Sequence, residues 1–285
     1  MLSIAPLTLN YGSVINRQHP LNRGLVAAYK VLPMRYGGLQ WLDLAGSNHG
    51  TLTNIGASSA TSGWGATTHR GGYGEIRLDG TNDYVSIGDV PKLKFTSSFT
   101  IAQWFKNIGA VDAWLVAKSE SNFSYLTAYT NDNTPFQFAL LVSSNGSTLA
   151  IRYSATTLSS NIWYYGVGVY DAGATTLTVY LNGVNDNGTL SGTVPSSIFD
   201  STNNVVIGTS SGVLGEFFGG SVDDVRMYSR ALSSSEVAVL YMETQKYFSS
   251  LYNYCRLGFG NSISGVASPF EAPMRHGGLV SLIAQ

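Results

Sequence analysis

Charge is scarce in this chain. Of its 285 residues only 12% are Asp, Glu, Lys or Arg, about half the usual share, and the formal net charge is −1. With no global basic field, generic binding to nucleic acid or to anionic membranes is excluded. Cysteine is nearly absent. Cys255 stands alone, which rules out an internal disulfide and a cysteine-rich zinc site. The histidines, His19, His49, His69 and His276, are scattered and nowhere paired at ligand spacing. No apolar run reaches the roughly 18 residues needed to span a bilayer. The N-terminal MLSIAPLTLNYGSVINRQHP has no basic region, is broken by Pro6 and shows no clear cleavage site. No signal peptide is therefore expected, and folding in a cytoplasm is. A P-loop, a Gly-x-Ser-x-Gly elbow and a His-Glu-x-x-His helix are also missing.

What the chain does have is turn chemistry and short apolar runs. Glycine is abundant at 32 residues, and hydrophobic residues make up a normal 44%. From about Tyr73 onward the pattern is strand, turn, strand. YGEIRLDG alternates through Ile76 and Leu78, and NDYVSIG through Val85 and Ile87. SSFTIAQWFKN puts Phe99, Ile101 and Gln103 on one face and Thr100, Ala102 and Trp104 on the other. Asn-Gly pairs in SNGS (Ser144–Ser147) and LNGV (Leu181–Val184) lie between apolar runs, the strongest short hairpin signal. DAGATT (Asp171–Thr176) reads as a longer hairpin loop. Many short strands at this spacing predict an all-β, two-sheet antiparallel sandwich. One short helix is expected near the C-terminal side. In RALSSSEVAVLYM, Ser233 and Glu236 have capping-box spacing, and Val237, Leu240 and Tyr241 form one stripe. The expected organisation is an N-terminal arm with leader strands over 1–72, the sandwich over 73–244, and an irregular C-terminal arm over 245–285.

Four phrases carry a family resemblance: RLDGTNDYVSIG (Arg77–Gly88), FTIAQWFK (Phe99–Lys106), WYYGVGVYDAGATTLTVYLNGV (Trp163–Val184) and GGSVDDVRMYSRALSSSEVAVLY (Gly219–Tyr241). In order and spacing they resemble the laminin-G-like, concanavalin-A-like jelly-roll family, over about residues 75–242. HPLNRGLVAAY through WLDLAGSNHGTLTN (His19–Asn54) resembles the leader that such modules carry, many of them in phage and bacterial proteins. The resemblance implies a jelly-roll sandwich that binds glycans or proteins, in many members with one structural calcium. Hydrolases of the same fold use closely spaced carboxylates on one strand. Here Glu75, Glu120, Glu216, Glu236, Glu243 and Glu271 are far apart in sequence. Retaining hydrolysis needs two carboxyls about 5–5.5 Å apart, so catalysis is not expected.

Three sets of residues are candidates for function. The resemblance places Asp79 and Asp83 near Asp223 and Asp224, and together they could supply oxygens to a structural calcium, with Asp224 the first choice as ligand. The other reading of these aspartates is turn and edge chemistry. VDAWLVAKSESNFSYLTAYTNDN offers Trp114, Asn122, Tyr125, Tyr129, Asn131 and Asp132 as a glycan face. The alternative is that its aromatics fill the core. Finally, PMRYGGL (Pro33–Leu39) and PMRHGGL (Pro273–Leu279) repeat one phrase on both sides of the sandwich. Met34, Arg35, Met274 and Arg275 could therefore make equivalent assembly contacts in two arms, or the repeat is coincidence in a glycine-rich chain.

A lectin-like module without a signal peptide suits a phage virion protein released by lysis. The sequence-level expectation is a non-enzymatic capsid decoration (cement) protein on the virion surface. It would be a homo-oligomer partnered with capsid or other virion protein, and able to bind glycans for host adhesion. The alternatives are a free carbohydrate-binding lectin module and, last, a glycoside hydrolase of this fold.

Overall fold

The computed structural model describes residues 15, 18–32, 38–56, 58–67, 73–109, 112–120, 122–130, 136–210 and 216–244. The chain divides into a unit of Met1–Phe248 and a unit of Ser249–Gln285. The second, and with it Met274 and Arg275, lies outside the described residues, as do Met34 and Arg35.

The leader contributes β1 (Leu25–Tyr29), β2 (Gln40–Trp41), β3 (Gly50–Thr53) and β4 (Gly63–Gly65). Next come β5 (Glu75–Asp79), β6 (Tyr84–Gly88), β7 (Phe99–Asn107), β8 (Ala113–Ser119) and β9 (Phe123–Thr130). They are followed by β10 (Gln137–Ser143), β11 (Leu149–Ser154), β12 (Tyr164–Asp171) and β13 (Thr176–Leu181). The chain continues through β14 (Val184–Asn185), β15 (Asn187–Ser191), β16 (Val205–Ile207) and β17 (Gly219–Tyr228) to a helix, α1, over residues 234–244.

These strands form two antiparallel sheets packed as a jelly-roll sandwich. One runs β14-β13-β12-β7-β17-β5-β4 with β1 also paired to β17, and the other runs β15-β11-β10-β9-β8-β16-β6-β3-β2. Alternation along each strand explains the layering. On β7, Phe99, Ile101 and Phe105 enter the central core, while Ala102 and Trp104 face outward under Val237 and Leu240 of α1. Gln103 also points inward, and its amide crosses the sandwich to donate to Thr127 Oγ1 on β9 at 2.9 Å. On β12, Gly166 and Gly168 alternate with Tyr165, Val167 and Val169. A Cβ at Gly168 would sit 2.9 Å from Leu140, so the missing side chains let the facing sheet approach. The Asn182-Gly183 turn joining β13 to β14 has φ of 51° and 81°, the left-handed pair that a tight hairpin requires.

β17 organises the first sheet. One of its edges is held by β7, while the other is shared: Gly219–Val222 pair with β5 and Val225–Tyr228 pair with β1. The change of partner falls at Asp223 and Asp224, where the ladder to β7 is irregular and Asp224 takes a φ of 47°.

Candidate functional site

The aspartates expected to hold calcium lie in two separate places with two separate jobs. Asp79 Oδ1 accepts from the backbone N–H groups of Thr81, Asn82 and Asp83, and Asp83 Oδ2 accepts from Asp79 N, which closes the β5-β6 turn. Four residues farther along β17 from the Gly219 that faces Asp79, Asp223 and Asp224 stitch the exit of β1 to the bulge. Asp223 Oδ1 accepts from Val31 N at 3.0 Å. Asp224 is bound by Lys30 Nζ at 2.9 Å and by Arg226 Nε at 2.7 Å. Burial alone would raise the Asp224 carboxyl, but Arg226 and then Lys30 hold it well below the usual carboxylate range. Two protein cations thus supply the positive charge that an ion would bring. Among the described residues no three His, Cys, Asp or Glu side chains converge to hold a metal.

The expected glycan face also separates. Tyr125 and Tyr129 are core residues, which corrects their assignment to a sugar surface. The Tyr125 ring packs on Phe95 and Phe99 and its hydroxyl donates to Leu93 O at 2.8 Å, while Tyr129 stacks on Phe136 at 4.6 Å. From Tyr125 onward the odd positions of β9 point inward, so these rings fill the sandwich. Trp114 is half-buried on the opposite face of that sheet beside Phe123, at 5.9 Å, and Asn122 is exposed at the strand's start. Asn131 and Asp132 lie outside the described residues.

A different place has the makings of a binding site. On the outer face of the first sheet, Arg77 of β5, Ser221 of β17 and Lys106 of β7 stand in one row, because Ser221 faces Arg77 on one side and Lys106 on the other. Alternation puts Ile76 and Val222 inward and these three outward. Glu75, two residues from Arg77 and on the same face, is buried to 2% exposure. Its Oε1 accepts from Arg77 Nε at 2.8 Å and from Ser221 Oγ at 3.2 Å, while its Oε2 is buried without a partner among the described residues. Arg77 is fixed from behind by Ser59 O at 2.6 Å and Ala66 O at 3.4 Å. Lys106 Nζ lies 5.3 Å from the centroid of the half-buried Trp163 ring, a cation-π contact. Glu75, Arg77, Lys106 and Ser221 line a cleft of about 320 Å³ together with Ala60, Thr61, Ile108, Asn161 and Gly220. Ile108 and Ile162, beside Asn161 and Trp163, are 46% and 49% exposed.

This constellation combines a buried carboxylate oxygen that can accept, an ammonium that can donate, and an aromatic and aliphatic rim. Such a mixture fits a ligand with polar edges and an apolar face. Sequence reading missed it. The signal was partly present, since Glu75, Arg77, Lys106 and Ser221 each alternate with core residues. Their convergence, however, depends on which strands are neighbours, and a single chain's pattern does not show this.

Comparison with known proteins places the fold. A family model described as the concanavalin A-like lectin/glucanases superfamily matches residues 79–238. No curated protein matches the chain. Among solved structures, the binding domain of Paraclostridial Mosquitocidal Protein 1 is similar at 18% identity and a TM-score of 0.58, covering 79% of this chain and 53% of that one. The botulinum neurotoxin serotype D ligand binding domain, solved in complex with N-acetylneuraminic acid, is similar at 11% identity and a TM-score of 0.52, covering 77% and 51%. The binding domain of botulinum neurotoxin DC in complex with SialylT is similar at 10% identity and a TM-score of 0.52, covering 79% and 52%. This chain therefore spans about half the length of each. These likenesses carry the fold. They also overturn the expectation of a capsid decoration protein with capsid or virion partners, because these three similar structures are toxin binding domains. Of the expected readings, the lectin alternative is the one that goes forward. Matched by that family model over more than half its length, the chain belongs to the concanavalin A-like lectin/glucanases superfamily.

Proposed function

We propose that this chain is a carbohydrate-binding module, a binder rather than a catalyst, and that the cleft between Glu75 and Lys106 holds the sugar. The observation that carries the reading is the buried Oε2 of Glu75, without a partner among the described residues, on a side chain that lines a cleft together with Lys106, whose ammonium lies over the Trp163 ring. A buried acceptor without a donor costs about 1–3 kcal/mol, and a sugar hydroxyl would satisfy it. Membership of a lectin superfamily supports the reading, as do the sialylated ligands named with two of the similar domains. Binding rather than cleavage follows from the same geometry. Among the described residues Glu75 is the only carboxylate lining the cleft, and Arg77 and Ser221 tie one of its oxygens.

The test is a glycan array probed with the isolated protein, followed by titration of any hit against wild type and Trp163→Ala. Wild type should retain a defined subset of sugars, and Trp163→Ala should weaken the hit about tenfold while the fold persists. If wild type retains no sugar, the reading fails. If Trp163→Ala and Lys106→Met both bind as wild type does, the site lies elsewhere on the molecule.

A further inference from the structure

We infer that the cleft selects an acidic sugar, whose carboxylate pairs with Lys106 while a hydroxyl donates to Glu75 Oε2. The inference rests on the carbohydrate-binding reading above and adds the chemical class of the ligand.

The charges in the cleft support it. Among the described residues three charged side chains line the space: Glu75, Arg77 and Lys106. Glu75 and Arg77 neutralise each other at 2.8 Å, and Arg77 also donates to Ser59 O and Ala66 O. Lys106 has no carboxylate within ion-pair distance among the described residues, and its ammonium rests only on the Trp163 ring. The cleft therefore keeps one net positive charge on an otherwise near-neutral protein of formal charge −1. Lys106 is partly buried, so its charge is less screened than that of a fully solvated lysine.

The remaining hydrogen-bonding capacity points the same way. Ser221 is already committed to Glu75 Oε1, so among the described lining residues the buried acceptor left unmet is Oε2 and the cation without an ion pair is Lys106. A neutral sugar satisfies the first and leaves the second without a partner. A sugar acid satisfies both at once, and a charge-assisted bond is about twice as strong as a neutral one. The exposed Ile108 in the lining, with the Trp163 ring under the Lys106 ammonium, offers apolar surface for the ring's C–H face.

Calorimetric titration of glucuronate and N-acetylneuraminate, each beside its neutral methyl ester, decides the matter. The protein forms are wild type, Lys106→Met and Lys106→Arg. In wild type at low salt, at least one acid should bind about tenfold more tightly than its ester, and the preference should shrink as ionic strength rises. Lys106→Met, which keeps the apolar stem on Trp163, should bring acid and ester within about twofold. Lys106→Arg should restore the preference. Equal binding of acid and ester by wild type, or a preference that survives in Lys106→Met, overturns the acidic-sugar inference and leaves sugar binding intact. If neither these compounds nor any array sugar binds, the proposed function falls and this inference falls with it.

Discussion

Asp224 combines a left-handed backbone with complete burial, and both follow from its position. At the bulge its carboxylate must serve Lys30 from β1 and Arg226 from its own strand. Removing one partner of a buried ion network leaves uncompensated charge and typically costs about 3–5 kcal/mol. Asp224→Ala should therefore lower stability by about that amount in a denaturant titration. Because Lys30 and Arg226 already neutralise the site, chelators should leave the wild-type melting temperature unchanged. A drop on chelation, reversed by added calcium, would show that an ion acts there after all. The sequence showed the two aspartates and Arg226 but not the second cation. Lys30 lies 194 residues earlier, which is why the pair could be read as ion ligands. Trp104 was more legible. A tryptophan inside a strong strand pattern belongs in packing, and it is 4% exposed between Tyr165 and Tyr241, at 5.2 and 5.8 Å. Trp104→Ala should cost about 3–5 kcal/mol. A melting temperature within a degree or two of wild type would contradict that packing.

At the level of elements, local chemistry was legible wherever it is local in the structure. The helix cap is one case. Ser233 Oγ accepts from Glu236 N at 3.3 Å and Glu236 Oε2 accepts from Ser233 N at 2.9 Å, the reciprocal pair that the spacing predicts. Arg230 adds two contacts of 2.8 Å to the Glu236 carboxylate. Chiefly through Arg230, against the opposing effect of burial, the Glu236 carboxyl is held down at about 2 from an ordinary 4.5. A depressed carboxyl contributes stability that is fully present above its unfolded value and lost as pH falls through its folded value. The stability gap between wild type and Glu236→Gln should therefore be constant above about pH 5 and close by about pH 2. Ser233→Ala should cost about 1 kcal/mol. Strand faces were harder to read. β9 is apolar on both sides, with Tyr125 and Tyr129 inward and Leu126 and Ala128 outward, so alternation alone did not say which aromatics were buried. Gly168 tests the sheet spacing. A methyl there would crowd Leu140 across the sandwich, so Gly168→Ala should destabilise by about 1–3 kcal/mol, as overpacking does.

Across the whole molecule, the sandwich was legible because composition, turn residues and alternation all agreed. The cleft was not, because it is assembled by register. Glu75 and Arg77 reach Lys106 only because β17, the last strand, lies between β5 and β7. The function expected from the leader and the repeated phrase was misplaced for a related reason. It rested on segments whose neighbours the sequence could not name, whereas the similar toxin binding domains share the sandwich itself.

The pairing of β1 with β17 has a consequence for biosynthesis. A ribosome makes Leu25–Tyr29 early, yet the strand that covers it, and the Asp224 that receives Lys30, emerge 194 residues later. At roughly 5–20 residues per second, that leaves an unpaired apolar strand for about 10–40 seconds in every nascent chain. Release-blocked chains ending before Gly219 should then be cut by protease near β1 and retained by chaperones, whereas chains extended beyond Tyr228 and clear of the exit tunnel should resist. If the shorter chains resist equally, the first sheet closes without its last strand.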